Sequence, residues 1–231
     1  MDRVAPATAV RRLRTPRAAG IAGIAFALLL GTVLVLLKLA VPSDPSQAGT
    51  LLTDPHRRRL VAVALNLVPY AGIAFLWFLG VVRDRIGAHE DRFFATLFLG
   101  SGLLFVAMLF VGAAIAGGLI ADASFRAGRL SQPAVWGFGQ RLTAQLVNIY
   151  ALRMASVFAL SATNIMLRTS VFPRWLGYLG IVVALVMLIS SGLSAWVSLL
   201  FPIWILIVSV HILVTTFAAT AVGDDSREAR S

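Results

Sequence analysis

The chain has 231 residues, a net charge of +10, 59% hydrophobic residues and only 13% charged ones. A soluble domain of this size cannot cover so much apolar surface, so the composition excludes an ordinary soluble protein and points to an integral membrane protein. The basic residues flank apolar runs and so read as orientation signals, not as a nucleic-acid surface, and the absence of cysteine removes disulfides, thiolate metal sites and a cysteine nucleophile.

A hydrocarbon core roughly 30 Å thick takes about 20 helical residues to cross. Six segments reach that length: about 18–41, 60–82, 93–121, 142–167, 175–193 and 197–219. The expected fold is therefore all-α: one polytopic six-helix domain over 18–219, with a basic tail at 1–17 and a second charged tail at 220–231. The first run is 24 residues long, and "KLAVPSDP" after it offers no small-x-small cleavage site, so it reads as a retained span and not a signal peptide. The connection 122–141 carries Phe125, Trp136 and Phe138 among Arg and Gly and reads as an interfacial lid or amphipathic segment. The last two spans form one nearly uncharged block, split here at "SSGLSA", where Gly192 favours a turn and Pro202 suits the first turns of the next helix.

With the N-terminus in the cytoplasm, twelve arginines fall inside and six outside, which predicts both termini cytoplasmic. The cluster "HRRR" at 56–59 is the main dissent from that orientation.

"PRAAGIAGI" (16–24) and "PRWLGYLGI" (173–181) share a frame of Pro, Arg, Gly, Gly and Ile, each before a long apolar run. Proline in the first turn loses no hydrogen bond, arginine meets headgroup phosphate, and glycines three apart let a neighbouring backbone approach. We read the echo as two solutions to one helix-start problem. A duplication in a six-span protein would relate span one to span four, not to span five.

"LRTSVFPRWLGYLGIVVALVML" and, in the last span, "FPIWILIVSVHIL" resemble a family of small six-helix bacterial integral membrane proteins annotated only as a domain of unknown function. The resemblance covers about residues 140–220 and implies six helices in a bacterial inner membrane, with no catalytic residues to carry over. Nineteen of the twenty basic residues are Arg, the usage expected of a G+C-rich bacterial genome.

All ten acidic residues lie outside the predicted spans, which argues against proton-coupled transport and carboxylate-based hydrolysis within the membrane. His211 is the one histidine within a span, so one chain offers no pair of axial haem ligands, and no cofactor, metal site or enzymatic reaction is expected. A metal site at His89, Glu90 and Asp91 is disfavoured because adjacent residues point in different directions.

What remains is Arg153, deep in span four, where an isolated charge is costly. On a regular helix Gln145, Ser156 and Thr163 lie nearly in line, with Asn148 and Arg153 flanking them. Asn66 and Tyr70 bracket Pro69 in span two, where the missing N–H frees a carbonyl, and His211 lies near the middle of span six. Two main readings follow, beside that of a membrane-embedded enzyme acting on lipid, which the missing carboxylates and metal ligands disfavour. One is an outer-half pocket in which Arg153, Asn148, Asn66, Tyr70 and His211 receive a small anionic or lipid-headgroup ligand. The other is a structural or accessory subunit whose polar groups only stitch helices together. The small residues Gly112, Ala116, Gly117 and Gly118 in span three read as a helix-packing face or a homodimer face.

Overall fold

The computed structural model describes residues 15–40, 54–86, 92–125, 133–169, 172–190 and 196–228. The described residues are helical, in the order α1 (Thr15–Ala40), α2 (Pro55–Ile86), α3 (Arg92–Phe125), α4 (Pro133–Gln145), a π-helical segment (Leu146–Ala151), α5 (Leu152–Thr169), α6 (Arg174–Ser190), a 3₁₀ turn (Val197–Leu199) and α7 (Leu200–Glu228). In hydrocarbon a backbone must satisfy its own N–H and C=O groups, which is why apolar runs of this length fold as helices. Among the described residues, five helical stretches are long and apolar enough to cross a membrane: 17–40, 55–83, 93–122, 134–168 and 197–217. The protein is thus an all-α membrane protein. The predicted fifth span is shorter than expected: α6 has 17 residues, about 25 Å at about 1.5 Å per residue.

Proline marks the helix starts. Pro16 is the second residue of α1, Pro55 and Pro133 open α2 and α4, and Pro173 immediately precedes α6. Ahead of α2, the Asp54 carboxylate accepts from the His56 N–H at 2.8 Å and also contacts the Arg57 guanidinium at 3.4 Å. It therefore caps the helix and offsets the charge of the "HRRR" cluster.

Two boundaries differ most from expectation. The helix of span four begins at Pro133, not near 142, so its first turns occupy the C-terminal part of the predicted lid; residues 126–132 of that lid lie outside the described residues. Gly137 and Gly139 give this stretch a loop-like sequence, yet Gly139 is buried, and its bare Cα lets the Leu119 side chain of α3 lie against the helix. At the other end α7 continues past 219 to Glu228, because nothing in "ATAVGDDSRE" stops it as proline would. The metal candidate His89, Glu90 and Asp91, and the turn 191–195 between α6 and the 3₁₀ segment, lie outside the described residues.

The helices close a ring. α1 packs between α2 and α7, α2 against α3, α3 against α5, and α6 bridges α5 to α7. Its axis is filled with phenylalanine, one ring each from α1, α2, α3, α5 and α7: Phe26, Phe75, Phe105, Phe158 and Phe201. Phe75 is the hub, 4.7 Å from Phe26, 5.3 Å from Phe105, 5.1 Å from Phe158 and 6.0 Å from Phe201. Such tilted and edge-on pairs contribute about 0.5–1.5 kcal/mol each beyond their buried area. That matters here because lipid offers no hydrophobic drive for helices to associate.

Both copies of the glycine frame are packing sites. On α1, a Cβ at Gly20 would strike Leu213, and one at Gly23 would overlap the Ser209 hydroxyl, both on α7. On α6, a Cβ at Gly177 would overlap Leu167, and one at Gly180 would overlap the Thr163 hydroxyl, both on α5. The partners echo each other too: Ser209-x₃-Leu213 and Thr163-x₃-Leu167 each place a leucine on the first glycine and a hydroxyl on the second. Neither Thr163 Oγ1 nor Ser209 Oγ has a conventional hydrogen-bond partner. Glycine Cα–H groups facing these oxygens give the weak contact recurrent at close helix interfaces.

Candidate functional site

Span four is not a continuous α-helix. Between α4 and α5 the chain passes through the π segment Leu146–Ala151, whose wider turn packs on α3, with Val147 lying against the bare Cα of Gly112. Single π turns are rare and concentrate at functional sites. This one carries Asn148 and Tyr150, and Arg153 follows two residues after its end. No residue in "LVNIYA" announces a π turn, so sequence reasoning missed it, and Tyr150 with it.

The π segment breaks the predicted polar stripe. Ser156 and Thr163, on α5, are fully buried, whereas Gln145, before the π segment, is exposed. The regular 3.6-residue phase that would align them does not survive a wider turn. Ser156 and Ser161 donate to the carbonyls of Leu152 and Val157 in their own helix, at 2.8 and 2.9 Å.

Arg153 is exposed on the periphery of α5, five residues and about 7.5 Å before Phe158 of the aromatic hub. Tyr150, 56% exposed, lies one turn earlier on the same face. Asn148 is half-buried. The antiparallel register of α5 and α6 is set by the pairs Leu167–Gly177 and Thr163–Gly180. Ala184 and Met187 extend the buried face of α6, and the same register carries Ser190, its last residue, to the level of Arg153. The guanidinium thus lies at the level of the negative end of a helix.

The other predicted residues do not join Arg153. Asn66 and Tyr70 lie exposed on α2, with Asn66 Nδ2 donating to the Ala62 carbonyl at 2.8 Å. His211 lies 5.9 Å from Phe172, at the end of the bundle where α5 turns into α6. Gly23 opposes Ser209 two residues earlier on α7, so His211 sits beside the start of α1, away from Asn66 and not at mid-depth. One pocket gathering all five residues is therefore not what the fold builds. Asn66 instead lines an open, groove-like cavity of about 520 Å³ between α2 and α3, with Ala62, Leu65, Pro69, Phe110 and Gly117 among its walls. The small-residue series of α3 is divided: Gly112 receives Val147 of the π segment, whereas nothing approaches Gly118 within 4 Å. Among the described residues no three His, Cys, Asp or Glu side chains come together as metal ligands.

The aromatic and basic residues sort to the two ends. Arg17 stacks over Phe217 at 4.9 Å and Arg168 over Phe94 at 5.1 Å, at the end that also carries Arg83 and Arg174. Lys38 lies 4.2 Å over Trp196 at the opposite end. No family model matches the chain, nor does any curated protein or solved structure.

Proposed function

We propose that the chain is a six-span protein of a bacterial inner membrane, with both termini in the cytoplasm, that holds a small anion or lipid headgroup at Arg153 and Asn148, joined by Tyr150. The observation that supports this reading is the π segment. It interrupts a long membrane helix beside the exposed Arg153, and such interruptions are frequent at functional sites. A charge at the bilayer-facing surface also draws phosphate and water toward itself. The six-span count takes α6 as a short span completed by local thinning of the bilayer. The resemblance at Pro-Arg-Trp-Leu-Gly supports the same count.

The test is thermal unfolding in detergent, with and without phosphatidylglycerol, of wild type, Arg153→Met and Arg153→Lys. Anionic lipid should raise Tm by several degrees in wild type, less in Arg153→Lys, and not at all in Arg153→Met. A point charge keeps attraction but loses the forked geometry. Equal stabilisation of all three proteins defeats the proposal.

One observation favours a second reading, a structural or accessory subunit without a ligand: Arg153 lies level with the carbonyl end of α6. Its role would then be to support that end, and Arg153→Met would lower Tm by an amount independent of lipid.

A further inference from the structure

The cavity between α2 and α3 is independent of Arg153, on different helices, and it has a chemistry of its own. Its walls are apolar except at one place. Pro69 has no N–H to give the Leu65 carbonyl four residues back, so that carbonyl loses its helical donor. Leu65 and Pro69 both line the cavity, and the carbonyl lies on the helix face between them. Asn66, on the same wall, spends one amide hydrogen on the Ala62 carbonyl. Its second N–H and its oxygen remain to be satisfied. In hydrocarbon no water is at hand for such groups, so whatever fills the cavity is selected by them.

A full cationic or anionic head has no counter-charge among the walls. The groups that need partners are two acceptors and one donor. A hydroxyl matches one acceptor and the donor, donating to the Leu65 carbonyl and accepting from the Asn66 amide. The volume lies within the range of about 300–1,000 Å³ usual for small-molecule sites. On α3 the walls run from Phe110 to Ala121, about 17 Å at about 1.5 Å per residue, and they are open to the bilayer at Pro69, Ala114 and Ala121, so an aliphatic chain held at Asn66 can continue into lipid. Trp136, whose Nε1 is buried without a partner, belongs to the same small cluster as the wall residues Leu65 and Ile120 and supplies a further donor close by.

We infer that the α2–α3 cavity is a binding site for a neutral lipid alcohol, a long aliphatic chain ending in one hydroxyl, whose head is recognised by the Leu65 carbonyl freed at Pro69 and by Asn66.

The test is retention of radiolabelled 1-hexadecanol by the full chain purified in detergent, with hexadecyl methyl ether and hexadecanoate as competitors. The ether keeps the chain and removes the donor. Hexadecanol should compete about tenfold better than either, the scale of one hydrogen bond. Pro69→Ala returns an N–H to the Leu65 carbonyl without threatening the helix, and Asn66→Leu removes the amide. Each should bring the alcohol toward the ether while leaving Tm at or above that of wild type. Ala114→Phe, filling the cavity, should abolish retention. Equal retention of alcohol and ether by wild type, or an alcohol preference that survives in the Pro69→Ala/Asn66→Leu double variant, overturns the assignment.

Discussion

Two glycines and the hydroxyls they face show how tightly the interior is specified. Gly180 meets Thr163 Oγ1 and the Trp204 indole nitrogen, and Gly23 meets Ser209 Oγ and Phe78. Thr163, Ser209 and Trp204 are all essentially inaccessible, so none can swing away. Gly180→Ala should therefore cost about 1–3 kcal/mol, the usual penalty of overpacking. Thr163→Ala should recover part of that loss, because it removes the atom in collision. The pair should be non-additive in a double-mutant cycle read by thermal unfolding in detergent. Gly23→Ala with Ser209→Ala should behave alike. Additive effects in both pairs would mean that the helices are not in the contact described. The glycine spacing was legible in the sequence, as was the oddity of Arg153. Which side chain each glycine receives was not, because that depends on the pairing of α1 with α7 and α6 with α5, helices brought together by the whole bundle.

Helix starts were readable because their chemistry is local. Proline in the first turn and Asp54 ahead of α2 act within three residues of themselves, and sequence order is enough to reveal them. The π segment was not readable. An extra residue in one turn is a compromise between two helix faces, the α4 face against α3 and the α5 face against α6, and neither face is visible in one short window. Its consequence was the failed alignment of Gln145 with Ser156; the single pocket failed separately, because Asn66 and Tyr70 lie exposed on α2 and His211 lies beside Phe172 at the end of the bundle. The start of α6 gives the clearest element-scale prediction. Trp175 is 56% exposed, beside Arg174 and just after Pro173. Tryptophan at such an entry anchors at the headgroup layer. With the other four tryptophans replaced by phenylalanine, lipids carrying a quencher at shallow depth should quench Trp175 more strongly than those quenching at the bilayer centre. The opposite order would mean that α6 does not begin at the interface.

At the scale of the molecule, the twelve-to-six arginine asymmetry of the sequence supports the orientation proposed above. Arg17, Arg83, Arg168 and Arg174 share one end, and His56 begins α2 at the other. In intact cells a membrane-impermeant thiol reagent should label His56→Cys and leave Arg83→Cys untouched. The reverse pattern would invert the protein. The hydropathy of the spans was legible from composition because it needs no knowledge of partners. The order of helices around the ring was not, since almost every span is apolar on all sides.

That ring has a consequence in time. α1 rests on α7, with Gly20 and Gly23 taking up Leu213 and Ser209, and the aromatic hub needs Phe201 from the same late helix. A ribosome adds roughly 5–20 residues per second, so α1 waits on the order of ten seconds or more before its main late neighbour exists. During that interval its glycine face is covered by something other than its final partner, whether lipid or the insertion machinery. Assembly of this protein is thus not a matter of adding helices one after another to a finished base. The first helix is placed early and completed last.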